Sequence, residues 1–264
     1  MITMNGSGKA SAKPTNGRQV ALPRAGAIDA ADPSGGPGGL HSLEQISTSL
    51  QVSRNSQIFG EGDVADFFYI VSEGAVRHCM TLSDGRRQIA GFALPGDCFG
   101  GANLDACSFA AEAVVDSTVI RCSWRRLRKL GESHPALRRQ LLSLTMESLA
   151  ATQLQLVRLG RMTVEERLSS FLLEMATRSG QRPLDGDHVD LPMGRTDIAD
   201  HLGLTIETVS RTLSRFKKQR IIAIPDPGRI ELRDVGALRR IAGGHRTPAP
   251  AERRAIGGGA KPQR

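Results

Sequence analysis

Apolar residues come in short runs in the first half of the chain and at helical intervals in the second. From Leu43 to about Cys122 the runs are broken by glycine, with Gly62, Gly74, Gly85 and Gly96 recurring at intervals of 12, 11 and 11 residues. Turns at that spacing predict a β-roll. Phe67 to Val71, Val76 to Leu82 and Gln88 to Leu94 read as strands, and Ser83-Asp84-Gly85 as a hairpin turn. From His134 to Gly160 there is no proline after Pro135, and Leu142, Met146, Leu149, Leu156 and Leu159 follow at steps of 4, 3, 7 and 3. This predicts a long helix whose stripe packs against a copy of itself or against the β-roll. Leu137, Leu141, Leu144 and Leu154 are expected to face inward.

The helical pattern breaks at Gly160-Arg161-Met162, and Thr163 with Glu166 predicts a capping box that starts a new helix there. Through Ala176 that helix turns Leu168, Phe171, Leu172 and Met175 toward a core. Val189 to Met193 predicts a short strand. Ile221 to Ile224, the turn Pro225-Asp226-Pro227-Gly228, and Arg229 to Leu232 predict a two-stranded wing, followed by a last helix over Asp234 to Ile241.

The segment Gly203 to Leu213 is the most informative. At about 100° per residue, Ile206, Val209, Leu213 and Phe216 fall on one side of a helix, and Glu207, Ser210, Arg211 and Ser214 on the other. Upstream, Thr196 to Leu202 predicts a short helix with Thr196 as its N-cap. Gly203 supplies the left-handed stop, and Thr205 caps the following helix. That is the layout of a helix-turn-helix. Its exposed trio matches base-edge chemistry: Arg211 can donate two bonds to guanine, Glu207 can accept from an amino group, and Ser210 can approach thymine. Taken alone, the trio equally describes a solvated helix face. The preceding helix, the Gly turn, the basic cluster Arg215, Lys217, Lys218 and Arg220, and the hairpin favour DNA. The basic side chains, with the hydroxyls of Thr196 and Thr208, suit phosphate contacts.

Composition adds a partner and a compartment. At 264 residues the chain is long enough for two cores, and a net charge of +8 favours an anionic partner. No run approaches the roughly 20 apolar residues of a membrane span, and no secretory core opens the chain, so a cytoplasmic location is expected. Residues 1 to 39 and 243 to 264, poor in bulky apolar residues, are expected to be a disordered leader and a basic tail. Between them lie the β-roll at 40–132, the long helix at 133–160 and a winged helix-turn-helix at 161–242.

Those motifs carry a resemblance. Gly60-Glu61-Gly62-Asp63, Tyr69 to Gly74, Pro95 to Gly100, and the triplet Glu207, Ser210 and Arg211 resemble the Crp/Fnr superfamily of bacterial transcription regulators, and within it the FixK-like branch. The resemblance spans about Leu43 to Leu238. It implies an α+β fold, with a cyclic-nucleotide-binding-like β-roll, a long dimerisation helix and a C-terminal winged helix-turn-helix. It also implies a homodimer on double-stranded DNA, paired through Leu142, Met146, Leu149, Leu156 and Leu159 and touching RNA polymerase. The Glu-x-x-Ser-Arg triplet implies a palindrome of the type TTGAT, four spacer bases, ATCAA, and activation of genes for low-oxygen respiration or nitrogen fixation.

Cofactor expectations are negative. Cyclic-AMP-binding relatives carry Phe-Gly-Glu and, about ten residues on, Arg-Ser to grip the phosphate. Here Phe99 to Glu112 has Gly101 in place of the Glu and no Arg, so no cyclic nucleotide is expected. An Fnr-type iron-sulfur cluster needs cysteines near the amino terminus, and the first cysteine is Cys79. Cys79, Cys98, Cys107 and Cys122 form no C-x-x-C pair, and are expected to be mostly buried thiols, with redox or ligand sensing as the alternative. A cupin-like metalloenzyme is the remote alternative. The six histidines are dispersed and only His78 lies in the β region, so no metal, cofactor or catalytic site is expected.

Overall fold

The computed structural model describes residues 43, 46–100, 105–178, 184 and 186–243. The leader at 1–39, the tail beyond Gly243, and Gly101 lie outside the described residues. Eight strands come first: β1 (Ser47–Val52), β2 (Gln57–Phe59), β3 (Phe67–Glu73), β4 (Val76–Thr81), β5 (Arg87–Ala93), β6 (Cys98–Phe99), β7 (Ala110–Ala113) and β8 (Ser117–Ser123). They form two four-stranded sheets, ordered β1-β8-β3-β6 and β2-β7-β4-β5. Between the sheets lie Leu50, Val71, Val76, Phe99, Ala111 and Val119, alternate residues of their strands. Gly62, Gly74, Gly85 and Gly96 all take positive φ, so the periodic glycines are the turns. At Gly74 the requirement is doubled: φ is +85°, and an added Cβ would lie 2.3 Å from Ser117 Oγ and 2.7 Å from the Asp116 carbonyl.

Each sheet also uses its outer face. Phe68, Ile70, Ile120 and Cys122 meet Leu127 of α1 (Trp124–Ser133) and Leu137 of α2 (Pro135–Arg161). Helix α1 was not expected from the pattern. It stops because His134 precedes Pro135 and is forced out of helical geometry, to φ −127° and ψ 85°, and Pro135 then opens α2. At 27 residues, α2 is about 40 Å long. Leu137 is buried and Leu141 and Leu144 are half-buried, but Leu154, expected inward, is exposed, because the packed side of that turn is formed by Gln155, Arg158 and Leu159.

The remaining elements are α3 (Val164–Thr177), β9 (His188–Asp190), α4 (Arg195–Leu202), α5 (Ile206–Lys218), β10 (Ile222–Asp226), β11 (Arg229–Leu232) and α6 (Val235–Ile241). The capping box at Thr163 and Glu166 is present. Leu168, Phe171 and Leu172 are fully buried, and truncating such an aromatic costs about 3–5 kcal/mol. The wing has three strands rather than the expected two, because β9 pairs with β11 through Asp190, Val189 and His188. Strand β9 is shorter than expected: Pro192 has no N–H to offer a ladder, and Leu191 N–H instead donates to the Gly228 carbonyl at 2.6 Å.

The outer face of the second sheet is not left to solvent. Ala75, Cys79, Ile89, Phe92 and Val114 join one continuous core with the helices of the C-terminal domain. A bulge makes this possible. His78 pairs with Gly91 and Cys79 with Ile89, leaving Ala90 extra, so Ile89 and Phe92, three residues apart, point to the same side.

Candidate nucleic-acid interface

Helix α4 is capped two residues earlier than the sequence suggested. Its N-cap is Gly194, which offers no side-chain bond, and Thr196 lies exposed in the first turn; the expected cap at Thr196 is therefore corrected. The helix ends on Gly203 at φ 63°, a left-handed conformation that other residues adopt at a cost of about 1–2 kcal/mol. The Leu204 N–H closes the turn on the Ala199 carbonyl at 2.9 Å. Thr205 then caps α5 by accepting from the Thr208 N–H at 3.3 Å.

Helix α5 is strongly two-sided. Val209, Thr212, Leu213 and Phe216 are buried, and the Thr212 hydroxyl is satisfied by the Thr208 carbonyl at 2.9 Å. Ile206, expected on that side, is 41% exposed because it is the first helical residue and lies beyond the edge of the packed face. Glu207, Arg211 and Ser214 are exposed and Ser210 is half-buried, so the trio shares one open face. The Glu207 carboxyl is held below the usual carboxylate range by its own backbone N–H and the Thr205 hydroxyl, with Arg211 adding charge. It is an anionic acceptor at neutral pH.

Around this face the charge is positive. Arg195, which sequence reasoning passed over, donates to Ser210 Oγ at 3.3 Å from the start of α4. Its position one residue inside a helix that abuts α5 was the available signal. Arg215 forms an ion pair with Glu165 at the start of α3, across a shallow groove also lined by Val164, Thr208, Arg211 and Thr212. Lys217, Lys218 and Arg220 are exposed at the end of α5, where cations suit the negative helix terminus.

The junction below the interface is tied together by arginines. Arg167 donates to the carbonyls of Met162, Leu202 and Leu159, each at 2.9 Å, joining the end of α2 to the end of α4. Buried Arg158 pairs with Glu174, linking α2 to α3. Leu159 differs from the rest of its stripe: half-buried, it turns toward Gly203, while Leu142, Met146, Leu149 and Leu156 stay exposed.

Two family models match this chain: a Crp-like helix-turn-helix domain over residues 166–241 and a cyclic nucleotide-binding domain over residues 49–134. Nitrogen fixation regulation protein FixK of Azorhizobium caulinodans is 44% identical over 80% of this chain and 85% of its own length. The chain belongs to the Crp/Fnr family of transcription regulators. A FixK of Rhizobium meliloti is 40% identical over 70% of this chain and 82% of its own length. Among solved structures, FixK2 from Bradyrhizobium japonicum is similar with a TM-score of 0.69 and 38% identity, covering 74% of this chain and 97% of that one. As a Crp/Fnr regulator the chain is a DNA-binding protein of a family named for transcription control, not an enzyme.

The Crp/Fnr β-roll here has a filled interior. Tyr69 stacks on Phe99 with ring centres 5.1 Å apart, Phe59 lies 5.4 Å from Tyr69, and His78 lies 5.1 Å from Phe99. Burial pushes the thiols of Cys79 and Cys122 up to about 11 and that of Cys98 to about 12, and raises that of Cys107. Among the described residues no group of three or more His, Cys, Asp or Glu is placed to hold a metal, and no helix is long and apolar enough to cross a membrane.

Proposed function

We propose that this regulator binds a palindrome of the type TTGAT, four spacer bases, ATCAA as a homodimer and without cyclic nucleotide. Glu207, Ser210 and Arg211 read base edges in the major groove. Thr196, Thr208, Arg215, Lys217 and Lys218 hold phosphates. The observation that carries this reading is the open face of α5, where an anionic acceptor, a hydroxyl and a guanidinium stand together above a buried opposite face.

Dimerisation is supported by Leu142, Met146, Leu149 and Leu156, which are 58%, 55%, 52% and 68% exposed along one helix. An apolar stripe of that size calls for a cover. Two recognition helices about 34 Å apart then read the two half-sites. Independence from cyclic nucleotide is supported by the absence of any arginine between Phe99 and Glu112. The names of the FixK relatives support control of nitrogen-fixation genes; activation through RNA polymerase in the cytoplasm is part of the same proposal.

Selection of bound DNA from a random pool tests the proposal. Recovery of an inverted repeat of that type, with no added nucleotide, is the expected result. Recovery of no symmetric site, or of one only when cyclic AMP is supplied, overturns it.

A further inference from the structure

The C-terminal domain touches its own β-roll through a charged, buried contact that the DNA-reading face does not need. Arg77 on β4 and Asp197 on α4, 120 residues apart in sequence, are only 7% and 8% exposed. Arg77 holds Glu112 of β7 at 2.8 Å and Asp197 at 3.3 Å. Arg87 on β5 adds Asp197 at 2.7 Å and Asp200 at 2.8 Å. Two guanidinium groups therefore bridge one carboxylate of the β-roll and two of α4.

Backbone and ring contacts surround these charges. His201 Nδ1 lies 3.1 Å from the Ile89 carbonyl, and its ring lies 5.2 Å from that of Phe92. Gln155 of α2 donates to the His201 carbonyl at 3.0 Å. Just past the end of α3, Arg178 donates to the Phe92 carbonyl at 2.8 Å. The bulge at Ala90 is what turns Ile89 and Phe92 toward this surface.

A helix whose role ended at supporting α5 would leave Asp197, Asp200 and His201 in water. Here they are spent on the β-roll. The junction at Arg158 and Arg167 attaches the reading domain to the end of α2. Attachment of α4 some distance from that junction fixes direction as well.

We propose that Arg77 and Arg87, acting on Asp197 and Asp200, are positioning residues that hold the recognition helix in one direction relative to α2, and so set the half-site spacing the dimer accepts. The inference rests on the palindrome reading above. In this arrangement a direct contact between the two domains does the orienting.

The Arg87–Asp200 pair is the less buried part of the contact, so Arg87→Gln, Asp200→Asn and the double variant are the test, with Arg77→Met as a more severe second probe. Binding is measured on an isolated half-site and on palindromes whose spacer is four bases, or one or two bases shorter or longer. Alongside, hydrogen exchange is followed without DNA. The expected result is unchanged half-site affinity, a preference for the four-base spacer reduced by about tenfold, and no further loss in the double variant. Amides of β5 and α4 exchange faster in the variants, and those of α6 do not. Variants that keep the wild-type spacer preference overturn the proposal, as does exchange that is unchanged at β5 and α4. A wild-type protein that prefers no palindrome sinks the site reading instead, and the exchange result then decides alone whether the contact orients the domain.

Discussion

His78 packs its ring against Phe99 inside the β-roll, with ring centres 5.1 Å apart. Burial, with help from the charge of Arg178, lowers its pKa from 6.5 to about 4. Unfolding returns the ring to water. Between those values the unfolded chain takes up a proton that the folded chain refuses, so stability is full above pH 6.5 and falls as the pH drops toward about 4. Below that, this residue takes nothing more. At about 1.4 kcal/mol per unit, His78 contributes about 3 kcal/mol to the fall. His201, also lowered by burial, steepens it. Denaturant titrations across that range check the slope, and a His78→Leu protein is expected to decline less steeply than wild type.

Arg211→Ala is expected to cost about 1–3 kcal/mol on the full site and to relax preference at the guanine. Lys217→Ala weakens all sequences alike and lowers the salt dependence. Binding to single-base operator variants at two salt concentrations separates the two effects, and unchanged discrimination in Arg211→Ala would remove the base-reading role.

The turn glycines differ in what they require. At Gly85 only the backbone angle opposes a side chain, since nothing lies within 4 Å of an added Cβ, so Gly85→Ala costs about 1–2 kcal/mol. Gly74→Ala meets the same angle and also Ser117 and Asp116, and costs more. Equal unfolding midpoints for the two variants would contradict the packing described at Gly74.

Thiols held at about 11 to 12 are mostly protonated at neutral pH. Alkylation of the folded protein is expected to run on the order of a hundredfold slower than that of a free thiol, and operator binding to be the same with and without reductant. Rapid modification accompanied by loss of binding would restore redox sensing as the control.

Leu149→Asp places a charge in the exposed stripe of α2. Sedimentation of this variant is expected to show a monomer that still unfolds cooperatively, and that has lost palindrome affinity but kept half-site affinity.

What could be read in advance followed local rules. The spaced glycines marked turns because each positive φ is a property of one residue. Gly203, Thr205, Val209 and Leu213 marked the helix-turn-helix because cap, stop and apolar face lie within a few positions of one another. Strand β7, Ala110–Ala113, was invisible because Ala-Ala-Glu-Ala has no strand preference and is held by pairing on both sides, with β2 and β4. The link between Arg77 and Asp197 was hidden for a related reason: no spacing rule connects side chains 120 positions apart. Thr196 was misread as a cap because its residue type suits that place and Gly194 gave no competing signal.

Ala90 carries no chemistry of its own, being an exposed methyl in an irregular pair of β5. Yet its presence changes the parity of everything after it in that strand. Had Ala90 been taken into the ladder like its neighbours, the three-residue spacing would have sent the Phe92 ring into the interior of the barrel and removed an aromatic from the seam with the C-terminal helices. One residue left out of step thus decides which apolar side chains the sheet offers to its neighbour.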